Sequence, residues 1–311
     1  MGARGRHDRN LRVRRVSSQS YQLYSNTGEL CGNVFWAKFN QRLHLLYPEQ
    51  EKYVNEIEKS IYNVALANQV GTKGIMYHAK LVGPKDDSVG IAINTCCEGQ
   101  GTRLLGSLPE YIYSIAPDGL YVDLFEPSTI TWSQAGQALE LKMATQFPFH
   151  PDVQLHLSAA QPIPAKIRVR VPIWAAQDMP IQVNDTLAIT GKPGTYVTLD
   201  RTWSNGDTIM FRLPMDFKLT RYTGVDKIAD HERYALEYGP VLLAIIGAAD
   251  ARLVVRNGQR PEDLVKQLKP KTAQPLHFTI DGDTVHEYIP YWEVPYKQSF
   301  TCYPIVDLAA A

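Results

Sequence analysis

Ala116-Pro117-Asp118-Gly119-Leu120-Tyr121-Val122-Asp123-Leu124-Phe125 is the stretch at which the chain changes texture. Pro-Asp-Gly is a turn signal: proline presets φ, aspartate hydrogen-bonds its own backbone, and glycine accepts conformations other residues avoid. The apolar run that follows is strand-sized and is stopped by Glu126-Pro127. Residues 129–132, 139–144, 166–173, 181–184, 196–199 and 208–213 repeat the pattern, short and often alternating, with turn residues between them. No amphipathic helix intervenes, so the spacing predicts an antiparallel β-sandwich, jelly-roll-like, and not a parallel sheet. Residues 234–246, broken by Gly239-Pro240, predict a buried strand pair; 261–268 predict a short helix, and 276–280 and 287–291 the last strands.

Upstream of that switch the period is helical. Val34, Phe35, Phe39, Leu43 and Leu46 recur at helical spacing between a cap at Ser25, Asn26 and Thr27 and a stop at Tyr47-Pro48. Residues 53–67 place Val54, Ile57, Ile61, Val64 and Ala65 on one face with Glu56 and Glu58 outward, completing an αα-hairpin. Gly71, Gly74, Gly83-Pro84 and Gly90 make 68–94 loop-like, and a third helix is expected from near Cys97 to about Tyr113. The layout is therefore α+β and multidomain: a basic start over 1–19, a helical part over 20–115 and a β region over 116–311. There is no internal repeat.

Lys plus Arg and Asp plus Glu are each 32, and 44% of the 311 residues are hydrophobic, as in a globular chain with a sizeable core. Zero net charge gives no reason to expect nucleic acid, and no apolar run reaches the length of a membrane span. Arg4, Arg6, Arg9, Arg12, Arg14 and Arg15 come without an apolar h-region, so the start does not read as a secretory signal; a non-native or truncated start is expected. A cytoplasmic location is the slight default, with the compartment left open.

Cys31, Cys96, Cys97 and Cys302 are too few and too oddly placed for a disulfide framework. Adjacent Cys96 and Cys97 would be strained as a disulfide, whereas cysteines mixed with a carboxylate suit zinc. Glu29 and Cys31 stand at one predicted helix start and Cys96 and Cys97 at another, where the helix dipole favours thiolate. Three sulfurs and one oxygen complete a tetrahedral set; small buried cysteines are the plain alternative.

Gly28-Glu29-Leu30-Cys31-Gly32-Asn33-Val34-Phe35-Trp36 resembles the Glu-Thr-Cys-Ala motif of glycoside hydrolase family 127, the β-L-arabinofuranosidase family. Residues 53–67 look like that family's next helix, Cys96-Cys97-Glu98-Gly99-Gln100-Gly101-Thr102-Arg103 like its Cys-Cys segment, and Tyr121-Val122-Asp123-Leu124-Phe125 like its Tyr-Val-Asn-Leu-Tyr strand. Arg168-Val169-Arg170-Val171-Pro172-Ile173-Trp174, Val183-Asn184, Arg201-Thr202-Trp203 with Gly206-Asp207, and Tyr238-Gly239-Pro240 are similar to its later landmarks, in order, so the resemblance covers roughly residues 20–250. It implies the end of an (α/α) six-hairpin toroid followed by β-sandwich structure, and a retaining glycosidase acting on L-arabinofuranosides or similar plant-derived sugars. It further implies Cys96 as nucleophile and Glu29, Cys31, Cys96 and Cys97 as ligands of Zn2+.

Two departures qualify that implication. The family's acid/base glutamate falls on Val13, with Asp8 as the carboxylate in that region, and the helices ahead of the β region are too few to close a toroid. The expectation is a fragment that pairs with a complementary N-terminal chain or forms a homodimer; a non-catalytic carbohydrate-binding or scaffolding fragment with a vestigial metal site is the alternative. His78 is the histidine best placed to touch substrate, and Glu98 is a substitute for the missing carboxylate or simply a helix-start charge. His44, His150 and His156 read as core or surface residues, Trp174 and Trp203 as core aromatics, and Cys302 as an ordinary thiol.

Overall fold

The computed structural model describes residue 23 and residues 28–86, 95–224, 226, 228, 231–255, 260–283 and 285–308. Asp8, Val13, the cap at Ser25, Asn26 and Thr27, and Gly90 lie outside the described residues. The chain is mostly β, in several sheets, and divides into two compact units. One comprises the described residues up to Lys38, then Glu58–Leu105 and 217–308; the other comprises Phe39–Ile57 and Gly106–Asp216.

Among the described residues three α-helices precede the β region: α1 (Leu30–Leu46), α2 (Lys52–Ser60), continued by a π turn at Ile61–Ala65, and α3 (Cys96–Gly106). The apolar periodicity of α1 does not mark its buried side. Leu30, Asn33, Val34, Ala37, Asn40 and His44 are buried, whereas Phe35, Phe39 and Leu46 are 56%, 52% and 70% exposed. Two polar members of that buried side reach partners in part: Asn33 Nδ2 donates to Ser60 O at 3.0 Å, and His44 Nε2 lies 3.1 Å from Asp123 Oδ1. In α2 the expected face of Val54, Ile57, Ile61, Val64 and Ala65 is buried, but Glu58, expected outward, is fully buried too. It stands four residues after Val54 and three before Ile61, which helical geometry puts on the same side. The third helix is shorter than expected: Gly106 ends it, Leu108–Tyr111 forms a 3-10 turn around Pro109, and a strand follows. Residues 68–86 hold two small strands, β2 (His78–Ala79) and β3 (Val82–Pro84), and β2 pairs with β1 (Gly28–Glu29).

In the second unit the strands are β4 (Tyr113–Ala116), β5 (Gly119–Val122), β6 (Ser128–Gln134), β7 (Gln137–Thr145), β8 (Asp152–Ala159), β9 (Ile163–Val171), β10 (Met179–Val183), β11 (Thr186–Gly191), β12 (Thr195–Trp203) and β13 (Thr208–Arg212). They make a six-stranded sheet in the order β11-β10-β13-β8-β7-β6 and a four-stranded sheet in the order β12-β9-β5-β4. Alternation is clean where one side is covered: Leu139, Leu141 and Met143 on β7 and Val153, Leu155 and Leu157 on β8 are buried, with polar residues between them. Pairing is not wholly antiparallel as expected, since β5 lies parallel to β9. A buried polar network serves this unit: Arg170 Nε donates to Glu51 Oε1 at 2.8 Å, and Tyr196 donates to Asp123 Oδ1 at 2.7 Å beside the stacked His44 ring.

The first unit continues with β14 (Phe217–Arg221), β15 (Glu232–Tyr238), β16 (Val241–Ile246), β17 (Arg252–Val255), β18 (Leu268–Pro270), β19 (Phe278–Ile280), β20 (Glu287–Pro290), β21 (Ser299–Thr301) and β22 (Ile305–Leu308). They join in one sheet, with β17 parallel to β22 and β21 pairing β3. The short helix expected near 261 is a 3-10 turn, Pro261–Gln267. Asn63 of the π turn secures the β15–β16 hairpin, donating to Pro240 O at 2.8 Å and accepting from Leu242 N at 2.9 Å. An apolar cluster including Leu81, Val82, Leu242, Ala244, Tyr291, Phe300 and Cys302 forms the core here.

Candidate metal centre

Two helix starts are brought together in the first unit. Gly28 on β1 has room for no side chain: a Cβ there would lie 2.4 Å from Ala79 O, so glycine permits the close β1–β2 pairing that sets Glu29 opposite His78. Leu30 N then donates to Tyr77 O at 3.0 Å, which fixes the entry to α1 and with it Cys31. At the other start Thr95 Oγ1 accepts from Glu98 N at 3.2 Å, a capping interaction that leaves Cys96 and Cys97 in the first turn of α3. Gly101 supplies the contact between the helices: a Cβ there would sit 2.5 Å from Leu30 Cδ2 and 3.3 Å from Ile75.

The result is one cluster. A carboxylate oxygen of Glu29 and the sulfurs of Cys31, Cys96 and Cys97 all lie within 4.8 Å of one another. Cys31 and Cys97 Sγ are 3.2 Å apart, and Cys31 N donates to Cys97 Sγ at 3.3 Å. Cys31 and Cys97 are buried, Glu29 is half-buried and Cys96 is exposed. Burial pushes the Cys97 thiol up to about 11 and raises Cys31 further, aided by the neighbouring sulfurs. Cys96 moves the other way, chiefly because the Tyr77 hydroxyl stabilises its thiolate.

Protein atoms alone therefore give three sulfurs and a carboxylate that cannot comfortably all be anionic at such range. A divalent cation would remove that conflict by holding the sulfurs deprotonated. Three thiolates and one carboxylate are a zinc-type donor set, four in number, so the residues present fit the metal expected from the sequence.

Tyr77 is the site residue that sequence reading passed over. Its hydroxyl donates to Glu29 Oε1 at 3.2 Å and lies 3.7 Å from Cys96 Sγ, so it touches both the carboxylate and the exposed sulfur. Its place beside His78 was the available signal. The His78 ring is tilted against Tyr77, with centroids 4.5 Å apart and an interplanar angle of 47°, but contributes no atom to the cluster. Glu98 stands in the first turn of α3, also outside the cluster. His44 is core, His150 and His156 are exposed, Trp203 is buried with its Nε1 donating to Ala165 O at 2.9 Å, and Cys302 is buried. No described helix is long and apolar enough to cross a membrane.

Comparison with known proteins supports the resemblance read from the sequence. Residues 119–215 match the family description "Beta-L-arabinofuranosidase, GH127 middle domain". A family 127 β-L-arabinofuranosidase from Geobacillus stearothermophilus T6 is similar in structure at 19% identity and a TM-score of 0.69, over 90% of this chain and 50% of that one. A family 127 β-arabinofuranosidase is similar at 20% identity and a TM-score of 0.72, over 93% of this chain and 51% of the other. A further structure described as a glycoside hydrolase gives 19% identity and a TM-score of 0.71, over 93% and 54%. No curated protein sequence matches the chain. The chain thus carries the fold of these proteins and spans about half their length.

Proposed function

We propose, from the family 127 middle domain at residues 119–215 and the cluster upstream of it, that this chain is part of a retaining glycoside hydrolase with Cys96 as nucleophile. The helical part is read as the end of an (α/α) toroid and the strands as sandwich structure. Zn2+ is the ion proposed for Glu29, Cys31, Cys96 and Cys97, and when bound it would keep the sulfurs deprotonated near neutral pH. The observation that carries the reading is that Cys96 alone of the clustered sulfurs is exposed, while its neighbours are buried.

The residues divide the work accordingly. Cys31, Cys97 and Glu29 hold the donor set in place, and Tyr77, 3.2 Å from Glu29 Oε1 and 3.7 Å from Cys96 Sγ, has one hydroxyl hydrogen with which to orient either the carboxylate or the exposed sulfur. Cys96 attacks the anomeric carbon of a terminal L-arabinofuranoside as the bond to the leaving oxygen breaks, and water then displaces the sulfur with retention. His78 on the Tyr77 side and Glu98 on the α3 side are the residues proposed to contact the sugar. The leaving oxygen takes its proton from a carboxyl group; because the family's position for it is Val13 here, Glu98 in the first turn of α3 is the residue proposed to give that proton and to accept one from the water that releases the sugar.

The second reading, a carbohydrate-binding or scaffolding piece with a vestigial site, is favoured by one fact: the family's acid/base position is Val13 in this sequence. Hydrolysis of an aryl β-L-arabinofuranoside separates the two. Turnover that disappears in Cys96→Ser, with a sugar-sized mass trapped on Cys96 in the parent, is the expected result. Inactivity of the zinc-loaded protein, alone and mixed with a helical half of a family member, would leave the vestigial reading.

A further inference from the structure

Strand β6 closes one side of the six-stranded sheet, pairing only with β7 among the described residues. It reads Ser128-Thr129-Ile130-Thr131-Trp132-Ser133-Gln134, with no charge and no proline, and its ladder to β7 runs without a bulge. Edge strands are normally guarded against other chains by exactly those devices. The opposite edge, β11, has such a guard, because its register with β10 shifts between Ile181 and Gln182. An unguarded edge beside a guarded one calls for a partner.

We propose that β6 is a self-association seam, pairing antiparallel with β6 of a second copy about a two-fold axis at Thr131. The sequence is self-complementary in that register. Ile130 falls opposite Trp132 of the other copy, Thr129 opposite Ser133, Ser128 opposite Gln134 and Thr131 opposite itself. Opposed residues share a face. Half-buried Ile130 and buried Trp132 therefore meet on the inner face, and exposed Thr129, Thr131 and Ser133 on the outer one. A shift of one residue would set apolar against polar.

Two further observations place a partner at this edge. Trp132 is buried, yet its indole N–H has no acceptor among the described residues; in the proposed register the hydroxyl of Ser128 in the second copy lies on the diagonal from it. At the two ends of β6, Tyr113 of β4 is bonded to Ser128 at 2.9 Å and Gln134 donates to Pro117 O at 3.4 Å. Between those contacts Ile115 is 61% exposed, an apolar side chain at the rim of the seam. Pairing of this kind is isologous and closes at two copies.

Sedimentation velocity of the full chain from about 1 to 500 µM tests the seam, a range suited to weak association through a small interface. A concentration-dependent dimer is expected. Thr131→Lys sets like charges face to face at the axis and should raise its dissociation constant about tenfold, while Thr186→Lys on β11 leaves it unchanged. Thr131 is exposed, so the melting temperature of the monomer should not move. Thr131→Cys should give, on oxidation, a peptide linked to its own copy at position 131, because opposed Cα atoms in such a ladder lie about 4.5–5.5 Å apart. A monomer throughout, or a dimer indifferent to Thr131→Lys and linked elsewhere, overturns the proposal.

Discussion

Lys85 shows how a single buried group sets a pH dependence. It is 3% exposed, its ammonium donates to Tyr291 O at 3.4 Å and Trp292 O at 3.3 Å, and burial lowers its pKa to about 8. A lysine whose folded pKa lies below its unfolded one is destabilising while protonated, and that cost fades as pH rises from the folded towards the unfolded value. Lys85→Met removes the titration. The parent should therefore gain stability relative to Lys85→Met between about pH 7 and pH 10, read as the difference between their denaturant midpoints. A constant difference across that range would mean that Lys85 does not titrate in the core.

At the scale of elements, the site depends on α3 seating against α1. Gly101→Val would drive a branched side chain into Leu30 and Ile75, and separation of the helices should follow. The expected loss is about 1–3 kcal/mol in urea unfolding, together with weaker metal binding measured by competition with a chelator. An unchanged affinity would show that the two helix starts are held by something other than this contact. Part of this was legible beforehand: a helix start near Cys97 was expected from the sequence pattern, and the convergence of Glu29, Cys31, Cys96 and Cys97 followed from resemblance. The buried side of α1 was not legible, because Asn33, Asn40 and His44 are polar residues buried on it by surroundings that only the fold supplies. Strand β8 alternates as plainly as its neighbours, but His156 and the flanking Pro151 disguised it. Parallel pairing of β5 with β9 leaves no local mark, since it depends on which distant strand arrives alongside.

For the molecule as a whole, Phe35, Phe39 and Leu46 of α1 are each more than half exposed and make an apolar stripe on that helix. Such a stripe binds hydrophobic dyes and promotes association. Replacing Phe35 and Phe39 together by Glu should lower dye binding and raise the concentration at which the protein stays soluble, with little change in melting temperature. A large fall in melting temperature would instead show that the two rings are packed within the chain.

The proposed centre holds one ion by one oxygen and three sulfurs. X-ray absorption at the zinc edge of the purified, zinc-loaded chain measures this directly. One zinc per chain with about three sulfurs near 2.3 Å and one oxygen near 2.0–2.2 Å is predicted, falling to two sulfurs or to no bound metal in Cys97→Ser. A shell of nitrogen and oxygen alone, or a spectrum that Cys97→Ser leaves unchanged, would contradict it.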